Sequence, residues 1–212
     1  MTLLPLRQKT AALIWWQLPI VAIGGWFWPY LGYMLIPCMI APAIVGAMRG
    51  RHWCGWFCPR GSFFDLVMAR VSGKRRPPRW MMGNPFRTAL LVLLMGLMTV
   101  QIVGVWPDAR AIGLVFVRLL TITTIIGIVL ALIFDARSWC SICPMGTMAS
   151  WFSHGKRPVV ASDACKACGL CAKVCTMGLV PHAYDASHAD CLKCGKCVAK
   201  CPVKALSFGP NR

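Results

Sequence analysis

Eight cysteines near the end of the chain have the spacing of metal ligands. They form two runs of four, with neighbouring cysteines three, three and four positions apart and 15 residues between the runs. Such a run supplies the thiolates that hold a [4Fe–4S] cluster. Isolated Cys-x-x-Cys pairs also occur in zinc sites and disulfide frameworks, but two complete copies at matching spacing favour two clusters. The runs are Cys165, Cys168, Cys171, Cys175 and Cys191, Cys194, Cys197, Cys201.

The fourth cysteine of each run is expected to bind the cluster held by the other run, as in double runs of this kind. Gly169 and Gly195 lie inside the loops, where we expect positive φ because the backbone passes close to inorganic sulfide. The segment resembles the bacterial two-cluster ferredoxin domain, which implies a small α+β fold. The pattern assigns the first cluster to Cys165, Cys168, Cys171 and Cys201, and the second to Cys191, Cys194, Cys197 and Cys175.

Two further cysteine pairs lie earlier in the chain and share a motif. Both copies read Arg-x-Trp-Cys, three or two residues, and then Cys-Pro-x-Gly followed by Ser or Thr. The proline, followed by Gly-Ser or Gly-Thr, predicts a turn that leads into an N-capped helix. The two pairs could form a third iron–sulfur or other metal centre, act as redox-active thiols or a disulfide, or be purely structural. These cysteines are Cys54, Cys58, Cys140 and Cys143.

The composition is that of a membrane protein. Of the 212 residues, 58% are hydrophobic, only 14% are charged, and none is glutamate, whereas about a quarter of a soluble domain is charged. Apolar runs long enough to cross a bilayer core of about 30 Å predict spans at about 10–28, 30–48, 88–105 and 111–134. Each cysteine pair follows two spans, so we expect a tandem hairpin repeat. The predicted fold is an all-α four-helix transmembrane domain (1–157) with an α+β ferredoxin-like domain (158–212).

The basic residues border apolar spans, so they indicate an orientation in the membrane. For this reason we expect no nucleic acid as partner. The net charge is +17, and 14 of the lysines and arginines before the ferredoxin segment fall on the side of the N-terminus, with only Arg110 opposite. The positive-inside rule then places both termini and the ferredoxin domain in the cytoplasm, with the spans among the lipids of a bacterial or archaeal inner membrane. A reducing compartment also suits the cysteines. Tryptophans beside the motifs are expected to be interface anchors: Trp53, Trp56, Trp139 and Trp151.

The residue types favour electron transfer over catalysis by the chain itself. No nucleophile–base set or nucleotide motif stands out, and no catalytic residue is predicted. Clusters fixed to a membrane domain imply that electrons enter or leave there, and a lipid quinone is the natural partner. Arg118, Gln101 and Asp108 lie towards the outer end of the second hairpin and are possible quinone-side residues, although Arg118 could equally snorkel or pack between helices. Five lysines near the clusters provide charge compensation or a docking surface for an acidic partner: Lys166, Lys173, Lys193, Lys196 and Lys200.

The paired motifs after membrane hairpins, followed by a two-cluster segment, resemble the NapH-type membrane ferredoxins. Related motifs occur in the NosR type and in the CcoG type linked to copper reduction and oxidase assembly. The resemblance implies a non-catalytic subunit that passes electrons between the quinone pool and a partner oxidoreductase. The alternatives are a copper-reducing or cofactor-assembly factor, and a membrane redox sensor.

Overall fold

The computed structural model describes residues 3–73, 75–78, 80–183 and 188–209. Within these residues, four helical stretches are long and apolar enough to cross a membrane: Pro5–Phe27, Pro29–Arg49, Asn84–Gly104 and Ala109–Ile133. A helix of 21 residues rises about 32 Å, which matches a bilayer core. They correspond to the four predicted spans. The first and third begin earlier than predicted because their charged first turns belong to the helix but not to the apolar run.

The first hairpin is irregular and rich in proline. Pro19 has no N–H to donate to the preceding turn, and a π-helical turn follows it directly. The second span starts as a 3₁₀ helix and carries Pro42 inside its α-helical part. The elements are α1 (Leu3–Ile14), α2 (Gln17–Pro19), the π-helical turn (Ile20–Gly24), α3 (Gly25–Phe27), the 3₁₀ helix (Pro29–Met34) and α4 (Leu35–Arg49).

Two short helices follow each hairpin. After the first hairpin come α5 (His52–Trp56), α6 (Pro59–Leu66) and a 3₁₀ turn (Met68–Arg70). The second hairpin consists of α7 (Asn84–Gly104) and α8 (Ala109–Ile133), and is followed by α9 (Ser138–Ile142) and α10 (Pro144–Trp151). A helix follows the second cysteine of each motif, as predicted, but α6 and α10 begin at the proline itself, so Ser62 and Thr147 lie inside these helices and do not cap them.

The two halves of the membrane domain interlock. Gly46 on α4 lies against α10, where an added Cβ would be 3.3 Å from the Cα of Ala149. Gly127 on α8 lies against α6, where an added Cβ would be 2.7 Å from the ring of Phe64. A short helix of each half therefore contacts the second span of the other half, extensively for α10 on α4 and through Phe64 for α6 on α8.

The ferredoxin segment is a small α+β unit. Strands β1 (Val159–Ala161) and β2 (Leu206–Phe208) pair antiparallel, with Val160 opposite Ser207. Helices α11 (Leu170–Lys173) and α12 (Lys196–Lys200) follow the two cysteine loops. Val159, Leu206 and Cys171 form its buried core, and four further cysteine or aromatic side chains pack against it: Cys191, Cys197, Cys201 and Phe208.

Candidate metal centres

The two cysteine loops of the ferredoxin segment have the same backbone conformation. φ is positive at Ala167 and Gly169 in the first loop, and at the equivalent Lys193 and Gly195 in the second. The prediction of positive φ at the two glycines is confirmed, with values of 73° and 75° directly before α11 and α12. Turns of this kind point successive amide N–H groups into a concave surface, which is typical of iron–sulfur sites.

The four cysteines assigned to the second cluster lie around one cavity of about 30 Å³. Burial, together with the thiols of Cys194, Cys191 and Cys175, raises the pKa of Cys197 to about 12. Burial also raises the pKa of Cys175 and of Cys191. Thiolates crowded in this way are unfavourable by themselves, so the donor set suits a cationic metal group that holds them deprotonated.

The cysteines assigned to the first cluster lie nearer to solvent. Cys168 is exposed and Cys165 is half-buried, whereas Cys171 is buried. The Sγ of Cys171 lies 3.3 Å from Nδ1 of His182, a contact that the sequence did not indicate. Cys201 packs against the small core that contains Cys171, as do Cys191 and Cys197.

The four membrane-domain cysteines meet at a second cavity. Cys54, Cys58, Cys140 and Cys143 all line a space of about 180 Å³ between the spans and the short helices. Burial raises the pKa of the Cys54, Cys58 and Cys140 thiols. Within the described residues, no three His, Cys, Asp or Glu side chains converge on one point as the ligands of a single ion do. The thiols surround a space instead, which suits a group larger than one ion.

Two buried arginines cross between the cysteine motifs. Arg51 of the first motif donates from Nη2 to the carbonyl of Cys140 at 2.7 Å, and Arg137 of the second donates from Nη1 to the carbonyl of Cys54 at 2.9 Å. Each guanidinium also fills the space beside the glycine of the opposite motif: an added Cβ at Gly146 would be 2.5 Å from Arg51, and one at Gly61 would be 2.6 Å from Arg137. Both arginines are 1% exposed, so the two motifs hold each other together.

Each crossed arginine is neutralised by an aspartate. Arg137 binds Asp65 with two hydrogen bonds, at 3.2 and 2.7 Å, and Arg7 and Lys196 bind the same carboxylate. Burial alone would raise the pKa of Asp65, but these three cations hold it well below its usual range. Arg51 pairs with Asp190 at 3.1 Å, and Arg87 shares that carboxylate at 2.8 Å.

These ion pairs also attach the ferredoxin segment to the membrane domain. Asp190 directly precedes Cys191, and Lys196 directly precedes Cys197. The carbonyl of Lys193 accepts from Nε1 of Trp56 at 3.1 Å. At Gly55 the backbones approach so closely that an added Cβ would be 2.2 Å from the carbonyl oxygen of Leu192. The loop assigned to the second cluster therefore lies against the first membrane cysteine motif.

The five lysines near the clusters separate into two groups. Lys193 is 2% exposed, and Lys196 pairs with Asp65, so both belong to the contact with the membrane domain. Lys166, Lys173 and Lys200 are exposed, as is Cys168.

The possible quinone-side residues do not all meet. Gln101 and Arg118 line one groove of about 710 Å³ between α7 and α8, and the same groove extends to Trp139 and Ile142 beside the second cysteine motif. Asp108 instead caps α8, where its side chain accepts from the backbone N–H of Arg110 at 2.9 Å.

The tryptophans differ from the sequence interpretation. Trp139 is 2% exposed and Trp56 is also buried, so their interpretation as interface anchors is wrong: both are enclosed by protein. Trp53 is half-buried, and Trp151 is exposed. The crossed arginines and their aspartates were missed as well, although the repeated Arg-x-Trp-Cys was a visible signal for them.

Residues 31–78 and 117–159 match a protein family described as a 4Fe-4S binding domain. The first matched segment contains Cys54 and Cys58, and the second contains Cys140 and Cys143. Together with the four apolar helices and the ferredoxin-like cysteine runs, this match supports a membrane-associated iron–sulfur protein of the ferredoxin type.

Three curated relatives are similar to this chain, and one of them is named as a ferredoxin-type protein. The chain is 26% identical to the ferredoxin-type protein NapH of Haemophilus influenzae, over 82% of this chain and 67% of that protein. It is also 25% and 24% identical to two uncharacterized proteins of Methanocaldococcus jannaschii, over 82% and 80% of this chain and 78% and 68% of theirs. No solved structure matches the chain. The likeness to NapH supports the expectation of a NapH-like membrane ferredoxin.

Proposed function

We propose that this chain is a membrane-anchored electron-transfer subunit that passes single electrons between the quinone pool and a partner oxidoreductase. It lies in the inner membrane with both termini and the ferredoxin segment in the cytoplasm, as its asymmetric basic residues favour. It holds two [4Fe–4S] clusters in the ferredoxin segment and a third metal centre at the four membrane-domain cysteines. The likeness to a ferredoxin-type protein and the iron–sulfur family match on the membrane motifs support this proposal.

One observation carries the quinone link. The groove between α7 and α8 is lined almost entirely by apolar side chains and runs from Gln101 and Arg118 to Trp139. Trp139 also lines the four-cysteine cavity. Arg118 lies 15 residues before the end of α8, about 22 Å along the helix axis. A quinone ring bound only beside Arg118 would be far from the cysteines, whereas a groove that continues to Trp139 lets an apolar molecule approach them.

The positions of the three proposed cysteine sites support an electron relay. The four-cysteine cavity lies beside the first motif, whose Gly55 and Trp56 touch the loop of Cys191 to Cys197. The other ferredoxin site includes the exposed Cys168. Electrons would thus move between a buried end at the membrane and an exposed end that a soluble partner can reach.

The chain's own residues supply the scaffold for this relay. A bound iron–sulfur cluster accepts and donates one electron without group chemistry. The cysteines would hold it as thiolates, and the amides of the loops with left-handed residues would stabilise its negative charge. The ion pairs of Arg51 with Asp190 and of Lys196 with Asp65 fix the ferredoxin segment on the membrane domain, which keeps the distance between sites constant.

The test is reduction by a quinol analogue. The protein is purified anaerobically in lipid nanodiscs, and iron, sulfide and copper are quantified. Absorbance and EPR then follow cluster reduction by decylubiquinol or a menaquinol analogue, with dithionite as the reference. We expect iron–sulfur signals from the ferredoxin pair and from a third centre, and quinol-dependent reduction of part of the signal. Replacing Cys54, Cys58, Cys140 and Cys143 by serine should abolish reduction by quinol but leave the ferredoxin pair reducible by dithionite.

Two outcomes would overturn the proposal. The quinone link is wrong if dithionite reduces the clusters but no quinol reduces them and no quinone oxidises the reduced clusters. If the four membrane cysteines hold copper and quinol has no effect, the metal-handling alternative is favoured.

Gln101→Leu and Arg118→Leu should raise the KM for quinol without loss of iron if these residues line the quinone path. Reporter fusions at each terminus test the proposed orientation.

A further inference from the structure

Two equivalent tryptophans border the four-cysteine cavity. Trp53 and Trp139 occupy the third position of the repeated Arg-x-Trp-Cys motif, directly before Cys54 and Cys140. Both line the cavity together with the four thiols. The two halves of the chain thus bring one indole each to the same space.

The indole N–H groups of both tryptophans are buried without a partner. Among the described residues, only four buried side-chain nitrogen atoms lack a hydrogen bond: Nε1 of Trp53, Nε1 of Trp139, and Nε of Arg51 and Arg87. The two guanidinium groups bond through their other nitrogens, whereas an indole has a single donor. Buried indoles normally find an acceptor, because an unpaired buried donor is unfavourable.

A neighbouring tryptophan shows that the fold can satisfy such a donor. Trp56 lies three residues after Trp53 and donates to the carbonyl of Lys193 at 3.1 Å. The two unpartnered indoles are therefore the two at equivalent motif positions, at the same cavity. An acceptor inside that cavity would satisfy both donors.

We infer that Trp53 and Trp139 donate N–H hydrogen bonds to an anionic iron–sulfur cluster held by Cys54, Cys58, Cys140 and Cys143. This inference rests on the third centre of the proposed function, and it identifies two residues that position and tune that centre without ligating it. Hydrogen bonds to cluster or thiolate sulfur favour the more negative, reduced state and so raise the reduction potential. The two indoles would act from opposite halves of the chain.

The experiment compares the full chain with its Trp53→Phe, Trp139→Phe and double variants in nanodiscs. Phenylalanine keeps a ring but removes the N–H. Redox titration followed by EPR should show that each replacement shifts the equilibrium of the third centre about tenfold towards the oxidised form, which is about 59 mV for a one-electron couple. Iron and sulfide content and the potentials of the ferredoxin pair should stay unchanged. Trp151→Phe is the control, because Trp151 is 55% exposed at the end of α10.

A measurement on the unmodified protein covers the case in which a variant fails to fold. ENDOR of unmodified protein that carries nitrogen-15 at the indole nitrogens should show this label coupled to the third centre. Exchangeable protons would not identify the indoles, because Nη1 of Arg137 also lies 3.7 Å from the Sγ of Cys140. If analysis finds no centre beyond the ferredoxin pair, the third centre of the proposed function and this inference are both wrong. If the centre is present but its potential does not move in the variants and no coupling to the labelled nitrogen is seen, this inference alone is wrong.

Discussion

Replacing Arg137 by glutamine should destabilise the membrane domain more than any surface substitution. Arg137 is 1% exposed and donates to both oxygens of Asp65 and to the carbonyl of Cys54. Breaking a buried ion pair by removing one partner typically costs about 3–5 kcal/mol, because the remaining charge is left uncompensated. Asp65 keeps Arg7 and Lys196, so we expect the lower end, about 3 kcal/mol. The unpaired carbonyl of Cys54 adds about 1 kcal/mol, for a total of about 4 kcal/mol.

The assay is reversible unfolding in mixed micelles of mild detergent and SDS, followed by circular dichroism and by the tryptophan fluorescence of the buried motif. Arg137→Lys keeps the charge but cannot bond two acceptors in the fixed geometry of a guanidinium, so it should fall between the wild type and Arg137→Gln. Arg70→Gln is the control with the same change of charge, because Arg70 is exposed. It should change the free energy of unfolding by no more than about 0.5 kcal/mol.

A double-mutant cycle with Asp65→Asn separates the pair from its surroundings. If Arg137 and Asp65 stabilise each other, the double variant should lose less than the sum of the two single losses, by at least about 1 kcal/mol. A loss below about 1 kcal/mol for Arg137→Gln, or additive losses in the cycle, would refute the idea that the crossed arginines hold the motifs together.

Two further predictions concern the same interlocked region. Gly61→Ala and Gly146→Ala should each cost about 1–3 kcal/mol, because a Cβ at these positions would be 2.6 and 2.5 Å from the guanidinium groups of Arg137 and Arg51. Gly96→Ala is the matched control: nothing lies within 4 Å of its added Cβ, so the same assay should show no loss and up to about 1 kcal/mol of gain. Because the pKa of Asp65 is depressed in the fold, its ionised form stabilises the protein above the ordinary aspartate pKa of about 3.9. The difference in stability between wild type and Asp65→Asn should be constant from pH 7 to about pH 5, and should shrink as the pH falls below about 4.

Features that depend on local patterns could be predicted from the sequence. Long apolar runs must become helices in a bilayer, because each backbone polar group has to bond within its own segment, so the four spans were found. Glycine in a cysteine loop signals a left-handed residue, and Gly169 and Gly195 have that conformation. The proline after the second cysteine of each motif indicated a helix close by, although α6 and α10 begin at the proline and not after a turn.

Features that depend on packing between distant segments could not be predicted from the sequence. Arg51 and Arg137 were counted with the basic residues that set membrane orientation, because a sequence does not show which charges are buried. Arg51 pairs with Asp190, 139 residues away, and Arg137 pairs with Asp65, 72 residues away. No sequence periodicity connects residues so far apart. The tryptophans were misread for the same reason: an aromatic residue near a membrane surface and one enclosed beside a cysteine look alike in sequence.

The crossed contacts explain why the cysteine cavity needs both halves of the chain. Each motif contributes two cysteines to the cavity and one arginine that bonds a cysteine carbonyl of the other motif. The same arginines bind the two aspartates that connect the membrane domain to the ferredoxin segment. Asp190 belongs to the ferredoxin segment, and Asp65 forms an ion pair with Lys196 of that segment. A substitution of one arginine should therefore alter both the shape of the cavity and the attachment of the ferredoxin segment. Loss of either arginine should weaken both the proposed third centre and its connection to the loop of Cys191 to Cys197, whereas a substitution of Cys168, a proposed ligand of the first cluster, should leave both intact.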